Sequence, residues 1–169
     1  MRADLVLAFA AVAFAAVVLA PVAGVARADP RLLAPEQAFH FSARALDDRT
    51  VEARFAVSDG YYLYRDKMSF FLDPKAVEIG PVALPPGKVK DDPFFGKVET
   101  YRGDIVIRLP LAESAAGRSI VLVSDSQGCA DAGVCYPAYR QKVTLALPAA
   151  GKGPGPFVEA FPRKKNWFN

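Results

Sequence analysis

Residues that bind metals and cofactors are scarce in this sequence. Its 169 residues include one histidine, one tryptophan, two methionines and two cysteines. His40 and the cysteines, Cys129 and Cys135, cannot form a tetrahedral zinc site without carboxylates recruited from elsewhere in the chain. A Cys–His nucleophile pair would require His40, which lies far from the cysteines in an alternating, strand-like pattern. We therefore expect no metal and no cofactor, and we interpret His40 as a structural histidine.

The sequence also lacks a strong charge excess and a second long apolar run. It has 21 Lys and Arg against 18 Asp and Glu, and the basic residues are scattered except for Arg163–Lys165. Nucleic-acid binding requires basic residues clustered on one element, so we expect no nucleic-acid partner. After residue 28 no hydrophobic segment approaches the length that spans a membrane. These features predict one soluble domain in the mature protein.

The first 28 residues have the pattern of a secretory signal peptide. Arg2 gives a short basic start, Leu5–Val25 is an uncharged apolar run, and Ala26–Ala28 is a small-x-small cleavage site. The apolar run is also long enough to cross a bilayer, so an uncleaved N-terminal membrane anchor is the alternative. We favour cleavage after Ala28. In either case we expect the rest of the chain to lie outside the cytoplasm.

Short alternating segments separated by turn signals dominate the chain after Ala38. Strands are predicted at Ala38–Leu46, Thr50–Val57, Tyr61–Tyr64, Met68–Leu72, Val77–Val82, Ile105–Leu109, Ser119–Ser124 and Lys142–Leu147. The turn signals recur about every ten residues, which is typical of all-β sandwiches and barrels. No window has a helical period. We therefore predict an all-β fold, a β-sandwich, over residues 29–148.

Four segments are predicted to lie outside the strands. Pro30–Gln37 reads as an irregular lead-in, and Lys88–Gly103 reads as a polar loop interrupted by two phenylalanines. Ala149–Pro156 is rich in Gly, Pro and Ala and is predicted to be a flexible linker. The basic, aromatic tail Phe157–Asn169 is expected to fold back on the sandwich or to stay disordered. The alternative is a tail that docks on a partner or on an anionic lipid surface.

The two cysteines are separated by five residues within Gln127–Pro137, which two glycines and a proline predict to be a loop. They do not form Cys-x-x-Cys, so this is not itself a thioredoxin active site. Closing a ring of about seven residues stabilises a fold by roughly 2.4 kcal/mol, at the low end for disulfides. A domain of this length hardly needs that stabilisation. We therefore favour exchange chemistry, and a purely structural disulfide remains the alternative.

Three motifs resemble the N-terminal periplasmic domain of the thiol:disulfide interchange protein DsbD. They are Gly60–Arg65 (GYYLYR), Phe94–Arg102 (FFGKVETYR) and Gln127–Pro137 (QGCADAGVCYP). The similarity extends from about Leu33 to Leu147. It implies an immunoglobulin-like β-sandwich that carries one redox-active cysteine pair and acts as an electron relay in the periplasm. The cysteine motif is highly specific.

The resemblance also implies roles for individual residues. Cys135 is expected to form the mixed disulfide with a partner, and Cys129 to resolve it. The loop Asp92–Gly96 matches the family's cap, in which Phe94 takes the position of the ring that shields the cysteines. The remaining candidate site residues are Asp92, Phe95, Gly96, Tyr62, Tyr64 and Asp131. Physically, a ring over the sulfurs protects a reduced pair from oxidants, and Gly96 allows the loop to bend.

The charges near the cysteines are acidic in the sequence. Asp131 lies between the cysteines, and Asp91 and Asp92 precede the aromatic loop. Negative charges disfavour a thiolate and raise the pKa of the thiol. No histidine is nearby to oppose them. We therefore expect thiols that react slowly in the isolated domain and become active when a partner docks.

The family resemblance also implies the partners. Full-length relatives continue into a membrane-spanning electron carrier and a thioredoxin-like domain, and this sequence ends at Asn169 with neither. We therefore expect electrons to arrive from thioredoxin-like periplasmic proteins or a membrane thiol carrier of the DsbD/CcdA type. The expected acceptors are disulfide isomerases and thioredoxin-like proteins of cytochrome c maturation. The alternative function is an immunoglobulin-like adaptor module whose disulfide only shapes a loop.

Overall fold

The computed structural model describes residues 32–73, 77–93 and 95–161, and these are almost entirely β. A single helical turn, α1 (Pro35–Ala38), and a 3-10 turn at Arg65–Lys67 are the helical elements there. The strands are β1 (Phe39–Ala45), β2 (Thr50–Val57), β3 (Tyr61–Tyr64), β4 (Ser69–Asp73), β5 (Lys88–Asp92), β6 (Gly96–Tyr101), β7 (Gly103–Pro110), β8 (Ser119–Ser126), β9 (Gly128–Ala130), β10 (Tyr139–Ala146) and β11 (Val158–Glu159). The predicted signal peptide, Phe94 and Arg163–Lys165 lie outside the described residues.

The first sheet follows directly from the alternating pattern of β1 and β2. These strands pair antiparallel, with Phe41 opposite Phe55, and the centroids of the two rings lie 4.9 Å apart. The sheet order is β11-β1-β2-β7. The turn between β1 and β2 closes where Arg49 N–H donates to Asp47 Oδ1 at 2.7 Å, as aspartate does in tight turns.

Two further antiparallel sheets complete the fold. One has the order β10-β8-β4 and the other the order β5-β6-β3-β9. Apolar residues from the first two sheets share one core cluster, for example Phe55 and Ile107 with Leu122 and Leu145. Burial of these side chains is the main driving force for such packing. The predicted all-β fold, an immunoglobulin-like β-sandwich, is confirmed.

The prediction of a loop over Lys88–Gly103 is wrong. This stretch forms β5 and β6, which pair from Lys88 opposite Thr100 to Asp92 opposite Gly96. The hairpin lies at the edge of its sheet, and Val89 is 67% exposed. Backbone pairing at an edge does not require a buried apolar face, so the strand lacks the alternation that identifies the other strands.

The predicted strand at Val77–Val82 is reduced to one isolated bridge, Ile79 to Leu111. At the C-terminal end the chain lies against the first sheet. Gly155 N–H donates to Ala45 O at 2.8 Å, and β11 pairs with β1. Thus part of the glycine-rich segment and the start of the tail are held by the sandwich. Within the described ranges, no helix is long and apolar enough to cross a membrane.

Candidate functional site

The first cysteine lies on a short strand at the edge of the third sheet. Cys129 in β9 is opposite Tyr62 in β3, so the prediction that Gln127–Pro137 is entirely loop is wrong for Gly128–Ala130. The strands can approach because Gly128 has no side chain. A Cβ there would lie 2.3 Å from Tyr62 O and 2.7 Å from the ring of Phe39. Glycine is thus required for this close backbone approach.

The chain then turns back and brings the second cysteine beside the first. Gly133 adopts a φ of 86° in the turn. Ala130 N–H donates to Val134 O at 2.8 Å, and Tyr136 N–H donates to Gly128 O at 2.9 Å. These two bonds flank the facing cysteines, and a disulfide joins Cys129 to Cys135.

The two sulfur-bearing residues differ in their exposure. Cys129 is fully buried, with 0% of its surface accessible, whereas Cys135 is exposed. The neighbouring Val134 is an exposed apolar residue, 43% accessible. A macromolecular partner can therefore reach Cys135 directly, and Cys129 only through it.

A buried cluster of two tyrosines and an aspartate lies behind the disulfide. The hydroxyl of Tyr64 is 3.2 Å from Cys129 Sγ and 3.9 Å from Cys135 Sγ, and it donates to Asp92 Oδ2 at 2.7 Å. The hydroxyl of Tyr62 lies 3.5 Å from the same carboxylate oxygen. The rings of Tyr62 and Tyr64 meet edge to face at 5.5 Å. These three candidate residues are thus brought together with both cysteines.

The single hydroxyl proton of Tyr64 determines what the cluster can do. A disulfide sulfur cannot donate, and the proton of Tyr64 is directed to Asp92, so the contact with Cys129 holds no proton while the disulfide is intact. Burial, followed by the hydrogen bond to Asp92, raises the pKa of Tyr64 above its ordinary value. Tyr64 therefore stays neutral near pH 7 and is suited to passing a proton along rather than carrying a negative charge.

The tip of the β5–β6 hairpin lies next to this cluster. Phe95 N–H donates to Asp92 Oδ1 at 3.2 Å, and the Phe95 ring packs edge-on against Tyr64 at 5.3 Å. The Lys67 ammonium lies 4.9 Å from the centroid of the Phe95 ring. Gly96 follows with a φ of 70° and begins β6. Phe95, which is 45% exposed, therefore connects the hairpin tip to the residues that touch the sulfurs.

Sequence reasoning missed two cations, and its picture of uniformly acidic surroundings is wrong. Arg102 holds Asp131 through two hydrogen bonds of 2.6 and 3.0 Å. This pairing lowers the pKa of the Asp131 carboxyl and raises the pKa of Arg102. Lys90 donates to the Tyr62 hydroxyl at 2.6 Å. Arg102 lay within a recognised motif, but nothing in the linear spacing connected it, or Lys90, with the cysteines.

The described residues contain no cluster of three or more His, Cys, Asp and Glu side chains that could hold a metal ion. His40 lies on β1, where its Nε2 is 3.5 Å from a carboxylate oxygen of Glu159. The site is therefore built from sulfur, phenol, carboxylate and two cationic side chains.

Comparison with known proteins gives consistent matches. Residues 29–147 match the family described as "Thiol:disulfide interchange protein DsbD, N-terminal". The chain is 47% identical over 139 residues to the thiol:disulfide interchange protein DsbD of Ralstonia nicotianae, covering 82% of this chain and 22% of that protein. It is 39% identical to DsbD 1 of Pseudomonas aeruginosa, over 70% of this chain and 21% of that protein. The chain thus spans about a fifth of the length of these relatives.

Two solved structures resemble the sandwich. The Neisseria meningitidis DsbD N-terminal domain in the reduced form is 34% identical, with a TM-score of 0.64, over 76% of this chain and 94% of that domain. The complex between the DsbD N-terminal and PilB N-terminal domains of the same organism matches at 36% identity and a TM-score of 0.57, over 68% of this chain and 87% of that one. The chain belongs to the family of the N-terminal domain of the thiol:disulfide interchange protein DsbD.

Proposed function

We propose that this domain is a periplasmic thiol–disulfide oxidoreductase that carries an electron pair on Cys129 and Cys135. The observation that supports this function best is the unequal exposure of the pair. An exposed Cys135 suits attack on a partner, and a buried Cys129 beside Tyr64 suits resolution of the mixed disulfide. A disulfide that only shapes a loop would not need a buried phenol and carboxylate behind one of its sulfurs.

The first step joins the domain to its partner. The thiolate of Cys135 attacks one sulfur of the partner's disulfide, and the bond between the two partner sulfurs breaks. The displaced partner sulfur leaves as a thiolate and takes up a proton. Docking of the partner holds its disulfide against the exposed Cys135, and this positioning is how we expect a thiol that is slow in isolation to react faster.

The second step releases the partner. The Cys129 thiol gives its proton to the Tyr64 oxygen while Tyr64 gives its own proton to Asp92. The Cys129 sulfur then attacks Cys135 Sγ, the mixed disulfide breaks, and the second partner sulfur leaves as a thiolate. Two electrons have passed to the partner, and the domain is left with its disulfide. A reductant regenerates the dithiol by the reverse sequence.

The proposed partners carry cysteine pairs of their own. Thioredoxin-like periplasmic proteins or a membrane thiol carrier of the DsbD/CcdA type would supply electrons. Disulfide isomerases and thioredoxin-like proteins of cytochrome c maturation would receive them. The complex that a Neisseria relative forms with the PilB N-terminal domain supports a protein, rather than a small thiol, as partner.

The hairpin tip is the proposed cap of the site. Phe95 reaches Tyr64, and through it the sulfurs, from a turn that Gly96 follows with a positive φ. The role of Phe94 as the shielding ring rests on the resemblance. Opening of this tip would let a partner reach the pair, while the closed tip would protect the dithiol from small oxidants.

Trapping of the mixed disulfide tests the function. We would mix reduced Cys129→Ala domain with the oxidised PilB N-terminal domain of Neisseria meningitidis and analyse the product without reductant. We expect a disulfide-linked heterodimer through Cys135 that disappears on reduction. The matched variant Cys135→Ala, which keeps only the buried Cys129, is expected to give far less of it.

A second measurement separates exchange from a structural disulfide. The wild-type disulfide is expected to equilibrate with reduced thioredoxin, whereas a structural staple resists reduction. No heterodimer, together with a disulfide that thioredoxin leaves intact, would leave the adaptor module as the better explanation.

A further inference from the structure

Two cations hold the phenol of Tyr62. The Lys90 ammonium lies 2.6 Å from the Tyr62 hydroxyl and 3.8 Å from the ring centroid. The Arg102 guanidinium lies 5.1 Å from the same centroid. Tyr62 itself is only 4% exposed. A cation close to a buried phenol ring is favourable because the ring face is electron-rich.

The two cations have different partners. The charge of Arg102 is matched by Asp131, which accepts two hydrogen bonds from it and is half-exposed. The ammonium of Lys90 is directed at a neutral phenol instead, on the side of Tyr62 that leads to Asp92. Lys90 is half-buried and lies two residues before Asp92 on β5. Its charge therefore acts on the buried cluster, and it also contributes to the lowered pKa of Asp131.

A hydrogen bond from Lys90 also fixes the direction of the Tyr62 proton. An ammonium has no acceptor capacity, so the Tyr62 oxygen must accept from Lys90, and its own proton must point elsewhere. The Asp92 carboxylate, 3.5 Å away, is in position to receive it. Asp92 Oδ2 thus accepts from both Tyr62 and Tyr64, which holds the carboxylate in one orientation next to the hydroxyl that contacts Cys129.

We propose that Lys90 is a positioning residue for the proton transfer from Cys129. It orients Tyr62 and places a positive charge beside the buried carboxylate of Asp92, the final acceptor of that proton. This inference rests on the proposed exchange function. It adds to that function a group that touches neither sulfur and acts only through Tyr62 and Asp92.

The other charged groups around Asp92 determine in which direction loss of the Lys90 charge would act. The titratable and charged groups that face the cluster are Tyr62 and Tyr64 from β3, Lys90 and Asp92 from β5, Arg102 after β6, Cys129 and Cys135 with Asp131 between them, and Lys67 on the outer side of Phe95. Arg102 and Asp131 offset each other. Loss of the Lys90 charge would therefore favour the protonated form of Asp92, which cannot accept a proton.

The test follows the second step as a function of pH. The mixed disulfide between the domain and the PilB N-terminal domain is formed rapidly, and release of that partner is timed from about pH 5 to about pH 9. In Lys90→Met we expect the acid side of the profile to move up by about one pH unit, with release about tenfold slower there. At the alkaline end the rate should approach that of the wild type.

Three further variants complete the design. Lys90→Arg keeps the charge and is expected to restore the wild-type profile. Lys90→Gln keeps a hydrogen-bond donor for Tyr62 without the charge, and we expect the same shift of the acid side of the profile. It keeps the test decisive if Lys90→Met fails to fold. Lys97→Met removes the same charge from an exposed position on β6 and should leave the profile unchanged.

The outcomes distinguish this inference from the function on which it rests. A Lys90→Met or Lys90→Gln profile identical to the wild type, or slowed equally at every pH, would overturn the positioning role. A Cys129→Ala domain that forms no mixed disulfide with the same partner would instead overturn the exchange function.

Discussion

The hydroxyl oxygen of Tyr64 lies 3.2 Å from Cys129 Sγ, the buried sulfur of the pair. In the disulfide state this contact carries no proton, because the hydroxyl donates to Asp92. Reduction turns the sulfur into a donor that faces the same oxygen. The contact thus becomes a proton path only in the dithiol state, in which Cys129 must lose a proton. The chemistry of the cysteine pair therefore depends on Tyr64 in β3.

Substitution of Tyr64 tests this path. In Tyr64→Phe we expect release of a partner from the mixed disulfide to slow by about 100-fold, since positioned proton transfer contributes about that much. Attack by Cys135 should change little because that sulfur is exposed. The two steps can be timed separately by formation and decay of the linked heterodimer.

A matched control separates chemistry from folding. Tyr101→Phe removes another buried hydroxyl, one that donates to Pro85 O away from the sulfurs, and it should leave both steps unchanged. Tyr64→Phe also leaves Asp92 with one donor fewer, at a cost of about 1–3 kcal/mol in the free energy of unfolding. Equal slowing in both variants would contradict the proton path.

Substitution of the hairpin tip tests the cap. Removing the ring in Phe95→Ala uncovers Tyr64, which contacts Cys129, so we expect the reduced pair to react several-fold faster with iodoacetamide. Phe94→Ala is expected to do the same on the strength of the resemblance. Mass spectrometry can show which cysteine is modified.

An exposed apolar residue elsewhere provides the comparison for the cap. Val106 on β7 is 48% exposed, close to the 45% of Phe95, and Val106→Ala should leave the alkylation rate unchanged. If neither phenylalanine variant reacts faster than the wild type, the hairpin tip does not shield the pair.

Strands with a buried apolar face could be predicted from sequence, and the hairpin of β5 and β6 could not. β1 and β2 alternate because one face packs into the core, so Phe41 and Phe55 identified them. β5 and β6 are paired mainly through their backbones, and Val89 and Lys97 face solvent. The local hydrophobicity pattern does not indicate a pairing of this kind.

The site was predictable where its residues are consecutive, and not where distant residues meet. The motif around Cys129 and Cys135 identified the pair, but the burial of one sulfur and exposure of the other depend on the pairing of β9 with β3. Likewise Arg102 and Asp131 are 29 residues apart, and only the fold brings the guanidinium to the cysteine loop. That tertiary pairing offsets the charge of Asp131, which in the sequence appears only as a negative charge beside the cysteines.

The contact between β9 and β3 yields a prediction about stability. In Gly128→Ala the new Cβ would lie 2.3 Å from Tyr62 O and 2.7 Å from the Phe39 ring, so the two strands must separate. Overpacking of this kind lowers the free energy of unfolding by about 3 kcal/mol. Urea denaturation of the oxidised domain measures the change.

Glycine elsewhere in the same loop provides the matched substitution. Gly133 has a φ of 86° but open space where a Cβ would lie, so Gly133→Ala should cost about 1 kcal/mol from backbone strain alone. If the two variants lose equal stability, the close approach at Gly128 is not what fixes β9.

The pairing of Arg102 with Asp131 predicts how stability depends on pH. The hydrogen bonds from Arg102 hold the pKa of Asp131 below its ordinary value of 3.8. A depressed carboxyl pKa contributes stability above the unfolded-state pKa, and this contribution is lost as the pH falls through the folded-state value. The wild type should therefore melt about 2–3 °C above Arg102→Met at neutral pH, a small difference because the pair is exposed.

The difference in melting temperature should shrink steadily below about pH 4, where Asp131 becomes protonated. The difference in melting temperature that remains at low pH reflects the hydrogen bond from Arg102 to Tyr61 O and the contact with the Tyr62 ring. Neither contact depends on the charge of Asp131. Arg118→Met removes an exposed arginine from the turn before β8, where the nearest carboxylate oxygen is 3.6 Å away. Its effect should be smaller at neutral pH. A difference between wild type and Arg102→Met that is constant with pH would show that the Asp131 charge does not hold the cysteine loop.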